Sequence, residues 1–258
     1  MNKDVIRQVV VVLALVVVLV VNGLANALPL NGLSTGEISD RFDIYFVLAG
    51  YVFSIWGVIY LALIGFAVYQ ALPSQRENPR LRAMGYPFAL SCLANSVWIF
   101  LWHYLVFPLT LVAMLVLLGT LIFIYLRLEI GCGRVSAAET WLARVPFSLY
   151  LGWITVATIA NVTQLLYYLG WGGWGIAPEV WAVIMLVVGS AVAGLVALTR
   201  GDVAYMLVIV WAFVGIAVKH AGTPLVSATA WAMAGVAVVM LAAGFVLARR
   251  GRLLFARP

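Results

Sequence analysis

Eight long apolar runs, each of about twenty residues, are the feature of this sequence that most restricts its fold. A run of that length, wound into a helix, spans the ~30 Å hydrocarbon layer of a bilayer. Of the 258 residues, 66% are hydrophobic and only 9% are charged, far from the composition of a soluble domain. Backbone groups in hydrocarbon must pair within helices or closed barrels. The chain is therefore predicted to be an all-α polytopic membrane helix bundle.

Loop charges supply an independent test of the helix count. The predicted helices cover residues 5–27, 44–72, 83–104, 106–127, 145–169, 178–199, 203–219 and 226–248. With these eight spans, thirteen of the fifteen Lys and Arg residues fall on one side of the membrane, among them Arg252 and Arg257, and only Arg41 and Lys219 fall on the other. The positive-inside rule then predicts that both termini are cytoplasmic. The net charge of +6 reports topology in this interpretation, not nucleic-acid binding, and we expect an integral protein of a bacterial plasma membrane.

Three predicted helices carry a face that mixes indole, amide and small side chains. The faces are Ala49, Phe53, Trp56 and Tyr60; Ser91, Asn95, Trp98 and Trp102; and Trp153, Ala157, Asn161 and Gln164. Steps of three and four place the members of each set on one side of a helix. Unpaired amides in hydrocarbon cost several kcal/mol each, so the faces should meet inside the protein. They are consistent either with tight helix packing or with an apolar pocket that has a few orienting donors.

Several classes of function are disfavoured by what the spans lack. No charged residue lies at the middle of a predicted helix, which argues against an ion-coupled pump. Lys3 and Lys219 lie at helix ends, where neither suits a retinal Schiff base. No catalytic motif is present, so the protein is predicted not to be an enzyme and to hold no covalent cofactor. His103 and His220 are expected in solvent at the outer helix ends, with no metal site.

The first predicted outer loop, residues 28–43, is long, turn-rich and acidic. A loop of this length over the mouth of a bundle is a candidate lid. A solvated connector, whose carboxylates Glu37, Asp40 and Asp43 only oppose reversal of topology, is the alternative.

Short motifs on the three mixed faces resemble those of a known family. They are Gly50-Tyr51-Val52-Phe53 followed by Trp56-x-x-x-Tyr60, then Asn95-x-x-Trp98, then Trp153-x-x-x-Ala157-Thr158-x-x-Asn161. In order and spacing, over residues 1–170, they are similar to motifs of the tryptophan-rich sensory protein family, also called the translocator protein or peripheral benzodiazepine receptor family. Phe46-Val47-Leu48-Ala49 stands where that family has a proline-rich segment.

The resemblance implies a five-helix unit over residues 1–170, followed by a three-helix C-terminal membrane extension over residues 171–258. It also implies a protein, often a homodimer, that binds tetrapyrroles such as protoporphyrin IX, or sterols, in a pocket under the first loop. The implied ligand-binding residues are Phe53, Trp56, Tyr60, Asn95, Trp98, Trp153, Ala157 and Asn161.

The resulting hypothesis is a sensor or receptor in contact with membrane lipids. It binds a flat hydrophobic ligand, a porphyrin or haem-like molecule held without a covalent bond. Asn95 and Asn161 would orient this ligand beneath the loop. Two alternatives remain open at this point: a carrier for lipid or another hydrophobic solute, and a structural subunit of a membrane complex.

Overall fold

The computed structural model describes residues 2–28, 30–251 and 253, and in that part of the chain it shows eight long helices and no strand. The helices are α1 (Lys3–Ala27), α2 (Ile55–Ala71), α3 (Pro79–His103), α4 (Phe107–Arg127), α5 (Val145–Tyr168), α6 (Pro178–Arg200), α7 (Val203–Lys219) and α8 (Pro224–Arg249). The predicted all-α fold is thus confirmed. Arg252 and Arg257, which contributed to the charge partition, lie outside the described residues.

Among the described residues, seven helical stretches are long and apolar enough to cross a membrane. The eighth, α7, is an apolar helix of 17 residues. At 1.5 Å per residue it is about 25 Å long, the lower end of what spans a bilayer. The chain is an integral membrane protein.

The helices form one connected set of neighbours. α3 packs against α1 and α4, α5 packs against α4 and α7, and α8 packs against α6 and α7. Gly152 allows the close approach of α5 to α7, since a methyl group there would lie 3.1 Å from both the Tyr205 carbonyl oxygen and the Val208 Cβ. The last three helices join the first five chiefly through α7, and Arg200 of α6 also contacts Ile130 in the loop after α4. The division at residue 170 stays a prediction.

The prediction of one continuous helix over residues 44–72 was wrong at its beginning. Residues 45–49 are not helical, Gly50–Ser54 form a 3-10 turn, and the α-helix begins at Ile55. The backbone N–H of Ala49 donates to the carbonyl of Gly215 in α7 (3.3 Å), so it is paired outside its own segment. Tertiary contacts thus replace the helical hydrogen bonds that local sequence would favour.

A π-helical turn precedes the N-terminus of α5 and is continuous with it. The turn comprises Thr140–Arg144, and the Val145 N–H donates to the Thr140 carbonyl five residues earlier. Pro146 follows directly, and proline has no N–H for the ordinary ladder and crowds the preceding turn.

Two carboxylates lie at the starts of helices. Glu179 lies in the first turn of α6, and Asp202 precedes α7 as its N-cap. Asp202 is buried, accepting hydrogen bonds from the Tyr205 N–H (3.1 Å) and the Tyr125 hydroxyl (2.9 Å). This carboxylate is satisfied by the protein at a helix N-terminus, where a negative charge is favourable.

Candidate functional site

A narrow cavity lies at the end of the bundle opposite the chain termini, between α2, α3, α4, α5 and the segment that joins α1 to α2. Its volume is about 50 Å³. The residues that line it are Thr35, Ser39, Val47, Leu48, Phe53, Trp56, Asn95, Trp98, Trp102, Met114, Leu117, Trp153, Ile154, Ala157, Ala160, Asn161 and Gln164. None of these side chains carries a charge, and four of them are indoles.

Seven of the eight residues that the sequence predicted as ligand-binding line this one cavity. They are Phe53, Trp56, Asn95, Trp98, Trp153, Ala157 and Asn161. Tyr60 is not among the lining residues; its ring stacks on Trp56, with centroids 5.1 Å apart. The structure thus brings most of the predicted set together, and their role as ligand contacts stays a prediction.

Helical spacing accounts for the contribution of α5. Trp153, Ala157, Asn161 and Gln164, the four residues assigned to one face, all border the cavity. On the other two predicted faces, Ala49, Tyr60 and Ser91 lie outside the lining. Ala49 bonds to Gly215 of α7 through its backbone, and the Ser91 hydroxyl donates to the Phe88 carbonyl of its own helix.

The indole rings meet in two arrangements. Trp153 stands nearly perpendicular to Trp56, with ring centroids 6.1 Å apart and an interplanar angle of 79°. Trp98 stacks on Trp102 at 5.1 Å and 16°. Offset stacked and edge-to-face pairs are the favoured geometries of aromatic rings. The cavity wall is therefore an ordered aromatic surface.

Three buried polar atoms on lining residues have no hydrogen-bond partner among the described residues. They are the indole Nε1 of Trp98, the indole Nε1 of Trp153 and the amide Oδ1 of Asn161. The other end of the Asn161 amide is used, because its Nδ2 donates to the Thr110 hydroxyl at 3.0 Å. Residues that border the cavity thus carry two unpaired donors and one unpaired acceptor.

Asn95 differs from Asn161 because both atoms of its amide are bonded inside the protein. Its Oδ1 accepts from Asn22 Nδ2 (2.8 Å), and its Nδ2 donates to the Tyr150 hydroxyl (2.8 Å). We call Asn22, Asn95 and Tyr150 the amide–tyrosine network. The network ties α1, α3 and α5 together at the edge of the cavity, while the predicted role of Asn95 in orienting a ligand stays a prediction.

The roof of the cavity is the segment between α1 and α2, and we call its residues 30–49 the lid. A short helix, Thr35–Ser39, lies at its centre and begins with a capping box. The Ser34 hydroxyl accepts from the Glu37 N–H, and the Glu37 carboxylate accepts from the Ser34 N–H at 2.7 Å. The hydrogen bond from the Ser34 N–H favours the ionised carboxylate, so the pKa of Glu37 is lowered.

Side chains from α3 and α5 hold the lid from below. Trp102 Nε1 donates to the Thr35 carbonyl at 3.2 Å, and Gln164 Nε2 donates to the Ser39 hydroxyl at 3.3 Å. Ile38 of the lid is fully buried, in one apolar cluster with Trp102. The lid is thus a packed part of the structure and not a free connector.

The expectation that His103 lies in solvent was wrong. Its side chain is buried beneath the lid, with Nδ1 3.2 Å from the Leu30 carbonyl and Nε2 3.1 Å from the Thr35 hydroxyl. Because a carbonyl only accepts, Nδ1 carries a proton, and in the neutral ring Nε2 accepts from Thr35. His103 therefore fastens the lid to the end of α3.

The sequence reasoning missed the lining residues from the lid and from α4. Thr35 lies within, and Ser39 just after, a Ser-x-x-Glu pattern at Ser34 and Glu37; this pattern is a capping-box signature and indicates a short helix in the loop. Met114 and Leu117 of α4 carry no such signal, because apolar residues in a membrane helix face lipid and protein alike.

Comparison with known proteins decides the family. A family model described as TSPO-like protein matches residues 8–243, which is most of the chain. The chain belongs to the TSPO-like protein family. No curated protein and no solved structure matches it.

The match also bears on the helices that follow the motif-bearing part of this TSPO-like protein. It continues through α6 and α7 and into α8. These helices were assigned from the motifs to an extension outside the five-helix family unit, yet they lie within the region that the family model covers. In this TSPO-like protein no group of three or more His, Cys, Asp or Glu residues that could hold a metal ion is found in the described residues.

Proposed function

We propose that this TSPO-like membrane protein binds a flat, largely apolar ligand in the aromatic cavity beneath the lid, and that a tetrapyrrole is the ligand class. The observation that supports it is the set of unpartnered polar atoms on the lining residues Trp98, Trp153 and Asn161. A buried polar group without a partner costs about 1–3 kcal/mol. A ligand that pairs with these atoms removes that cost.

The unused groups define what the ligand must carry. It needs a hydrogen-bond acceptor for an indole N–H and a donor for the Asn161 carbonyl, on a body whose faces stack against Trp56 and Trp153. A porphyrin supplies flat apolar faces, pyrrole N–H donors and carboxylate acceptors. A sterol, whose single hydroxyl both donates and accepts, meets the same needs with less aromatic stacking.

A cavity of about 50 Å³ holds roughly three or four water molecules, far less than a porphyrin needs. Ligand binding therefore requires that the lid or the lining side chains move. The lid is held to α3 and α5 by a small number of side-chain hydrogen bonds, and its residues 45–49, which lead to the 3-10 turn before α2, are not helical. Movement of the lid is the opening that the architecture favours.

Binding, and not catalysis, is the activity that the lining residues support. The polar side chains around the cavity are amides, hydroxyls and indoles, and none of them gains or loses a proton near neutral pH. General acid–base chemistry needs a group that does so. Sensing or transfer of the ligand would follow from the binding step.

Titration with protoporphyrin IX tests the proposal. The purified protein in detergent is titrated while the porphyrin absorption band is followed, for the native sequence and for Ala157→Leu. Leucine at this position fills a cavity that is already narrow, so saturable binding should disappear while the protein stays folded. Ala232→Leu is the matched control, because Ala232 lies exposed on α8 and should bind as the native protein does.

Two results would contradict the proposal. One is equal affinity in Ala157→Leu and Ala232→Leu, which would place the porphyrin elsewhere. The other is a folded native protein that gives no saturable signal with either protoporphyrin IX or a sterol probe. The aromatic faces would then serve helix packing alone.

We also propose that the chain termini are cytoplasmic, on the strength of the basic residues near that end of the bundle. Cys132 provides the test, because its thiol is exposed at that end while Cys92 is buried. A membrane-impermeant maleimide should label Cys132 in intact cells only after permeabilisation. Labelling of intact cells would reverse the orientation.

A further inference from the structure

We propose that α7 acts as a latch on the lid, so that the contact between Lys219 and Asp40 controls how readily the cavity opens. This inference rests on the proposed function, since it concerns entry to the same cavity. It assigns a role to a helix that contributes no residue to the cavity lining.

The C-terminal end of the lid and the 3-10 turn that follows it are hydrogen-bonded to α7. Trp211 Nε1 donates to the Val52 carbonyl at 3.1 Å, and the Ala49 N–H donates to the Gly215 carbonyl at 3.3 Å. A methyl group at Gly215 would overlap the Val52 side chain, so only glycine permits this approach. Residues 49–52 therefore form an anchored base on which the rest of the lid can turn.

The upper part of the lid meets the end of α7 through a weaker contact. Lys219 Nζ lies 2.7 Å from Asp40 Oδ1, and the two side chains are 32% and 57% exposed. Next to it the ring of His220 lies against Tyr45, with centroids 5.5 Å apart. Exposed ion pairs of this kind contribute little and are screened by salt. The Lys219–Asp40 pair is thus a weak additional contact on a lid that α3 and α5 already hold at its short helix.

Besides His103, which fastens the lid to the end of α3, the polar contacts that hold the lid fall into two groups with different consequences. Trp102 and Gln164 reach it from the cavity side, where an incoming ligand would disturb them. Lys219 reaches it from outside the cavity, where no ligand competes. The Lys219–Asp40 pair therefore opposes opening before a ligand arrives.

Hydrogen exchange of the ligand-free protein tests the latch directly. Lys219→Met should raise the exchange rate of amides in residues 35–42 by roughly two- to fivefold, as expected for loss of one exposed ion pair. Asp40→Asn should do the same. The matched controls are Arg41→Met and Asp43→Asn, which remove the same charges from residues that form no ion pair in the described part of the chain.

Charge reversal sharpens the test. Lys219→Asp alone should increase lid exchange further through repulsion of Asp40, and the double variant Asp40→Lys with Lys219→Asp should restore slow exchange. Raising the salt concentration should bring the native protein towards Lys219→Met. Porphyrin should associate two- to fivefold faster with Lys219→Met.

Unchanged lid exchange in Lys219→Met, or equal increases in the Arg41→Met and Asp43→Asn controls, would overturn the latch. Exchange is measured without ligand, so that outcome leaves the proposed ligand binding intact. A protein that shows the expected exchange pattern but binds no porphyrin would instead contradict the proposed function.

Discussion

Asn95 and Asn161 are buried to the same extent, yet they belong to two regions that differ in whether buried polar groups have hydrogen-bond partners. Each residue is 2% exposed. Asn95 is bonded at both ends of its amide within the amide–tyrosine network, whereas the Asn161 carbonyl has no partner among the described residues. Fully satisfied buried polar networks stabilise a structure, and unsatisfied groups cost free energy that a ligand can recover. The two regions share residue types and differ in how completely their polar groups are paired.

The largest expected effect on stability comes from the network. Asn95→Leu removes the hydrogen bonds that the Asn95 amide makes with Asn22 and Tyr150, and it should lower the free energy of unfolding by about 2 kcal/mol. Asn161→Leu removes one bond to Thr110 and should cost less than about 1 kcal/mol. Reversible unfolding in mixed detergent and SDS measures both. An equal or larger loss for Asn161→Leu would remove the distinction between the two regions.

The cavity should show the reverse pattern in affinity. Trp153→Phe keeps an aromatic ring but deletes an unused N–H, so porphyrin affinity should fall by about three- to tenfold. Tyr150→Phe alters only the network and should change affinity less than about twofold. Trp231→Phe, at a position exposed on α8, controls for the loss of an indole in fluorescence titrations. A larger loss of porphyrin affinity in Tyr150→Phe than in Trp153→Phe would indicate that the ligand binds at the network and not in the cavity.

The coupling free energy between pairs of residues should also distinguish the two regions, with a smaller expected effect. A double-mutant cycle with Asn95→Leu and Tyr150→Phe should give a coupling free energy of about 0.6 kcal/mol, typical of a hydrogen bond between membrane helices. The cycle with Asn161→Leu and Tyr150→Phe should give none, because the two side chains lie about 16 Å apart along α5. Equal coupling in both cycles would mean that the two regions act as one unit.

The smallest effect is a pH dependence confined to the lid. The pKa of Glu37 is lowered by its hydrogen bonds to Ser34, so its ionised form supports the capping box. That contribution is complete above the usual range of a glutamate pKa and is lost as the pH falls through the lowered value. Amide exchange in residues 35–39, corrected for intrinsic rates, should therefore rise in acid, while the network stays protected. Glu37→Gln should abolish the change; a pH response that persists would exclude the cap as its cause.

Local pattern was enough to predict most of the helices and much of the cavity wall. Apolar runs locate membrane helices because the bilayer fixes their length. Spacing on α5 placed four residues on one face, and all four border the cavity. Both deductions depend only on the geometry of a single helix, which neighbouring residues determine.

Other features could not be predicted locally, because they depend on contacts with residues that are distant in the chain. The non-helical approach to α2 follows from contacts of Ala49 and Val52 with α7, more than 150 residues later. His103 is buried because the lid folds over it, and nothing next to His103 in the sequence shows this.

By itself the sequence determined that this chain is an α-helical membrane protein and which faces of its helices carry aromatic and amide groups, because hydrophobic length and helical period are local properties. Only the tertiary structure decided which of those amides are satisfied. Asn95 finds Tyr150 at a separation of 55 residues, and Asn161 finds Thr110 at 51. Whether a buried polar atom has a partner depends on how helices pack, and this separates the amide–tyrosine network from the cavity.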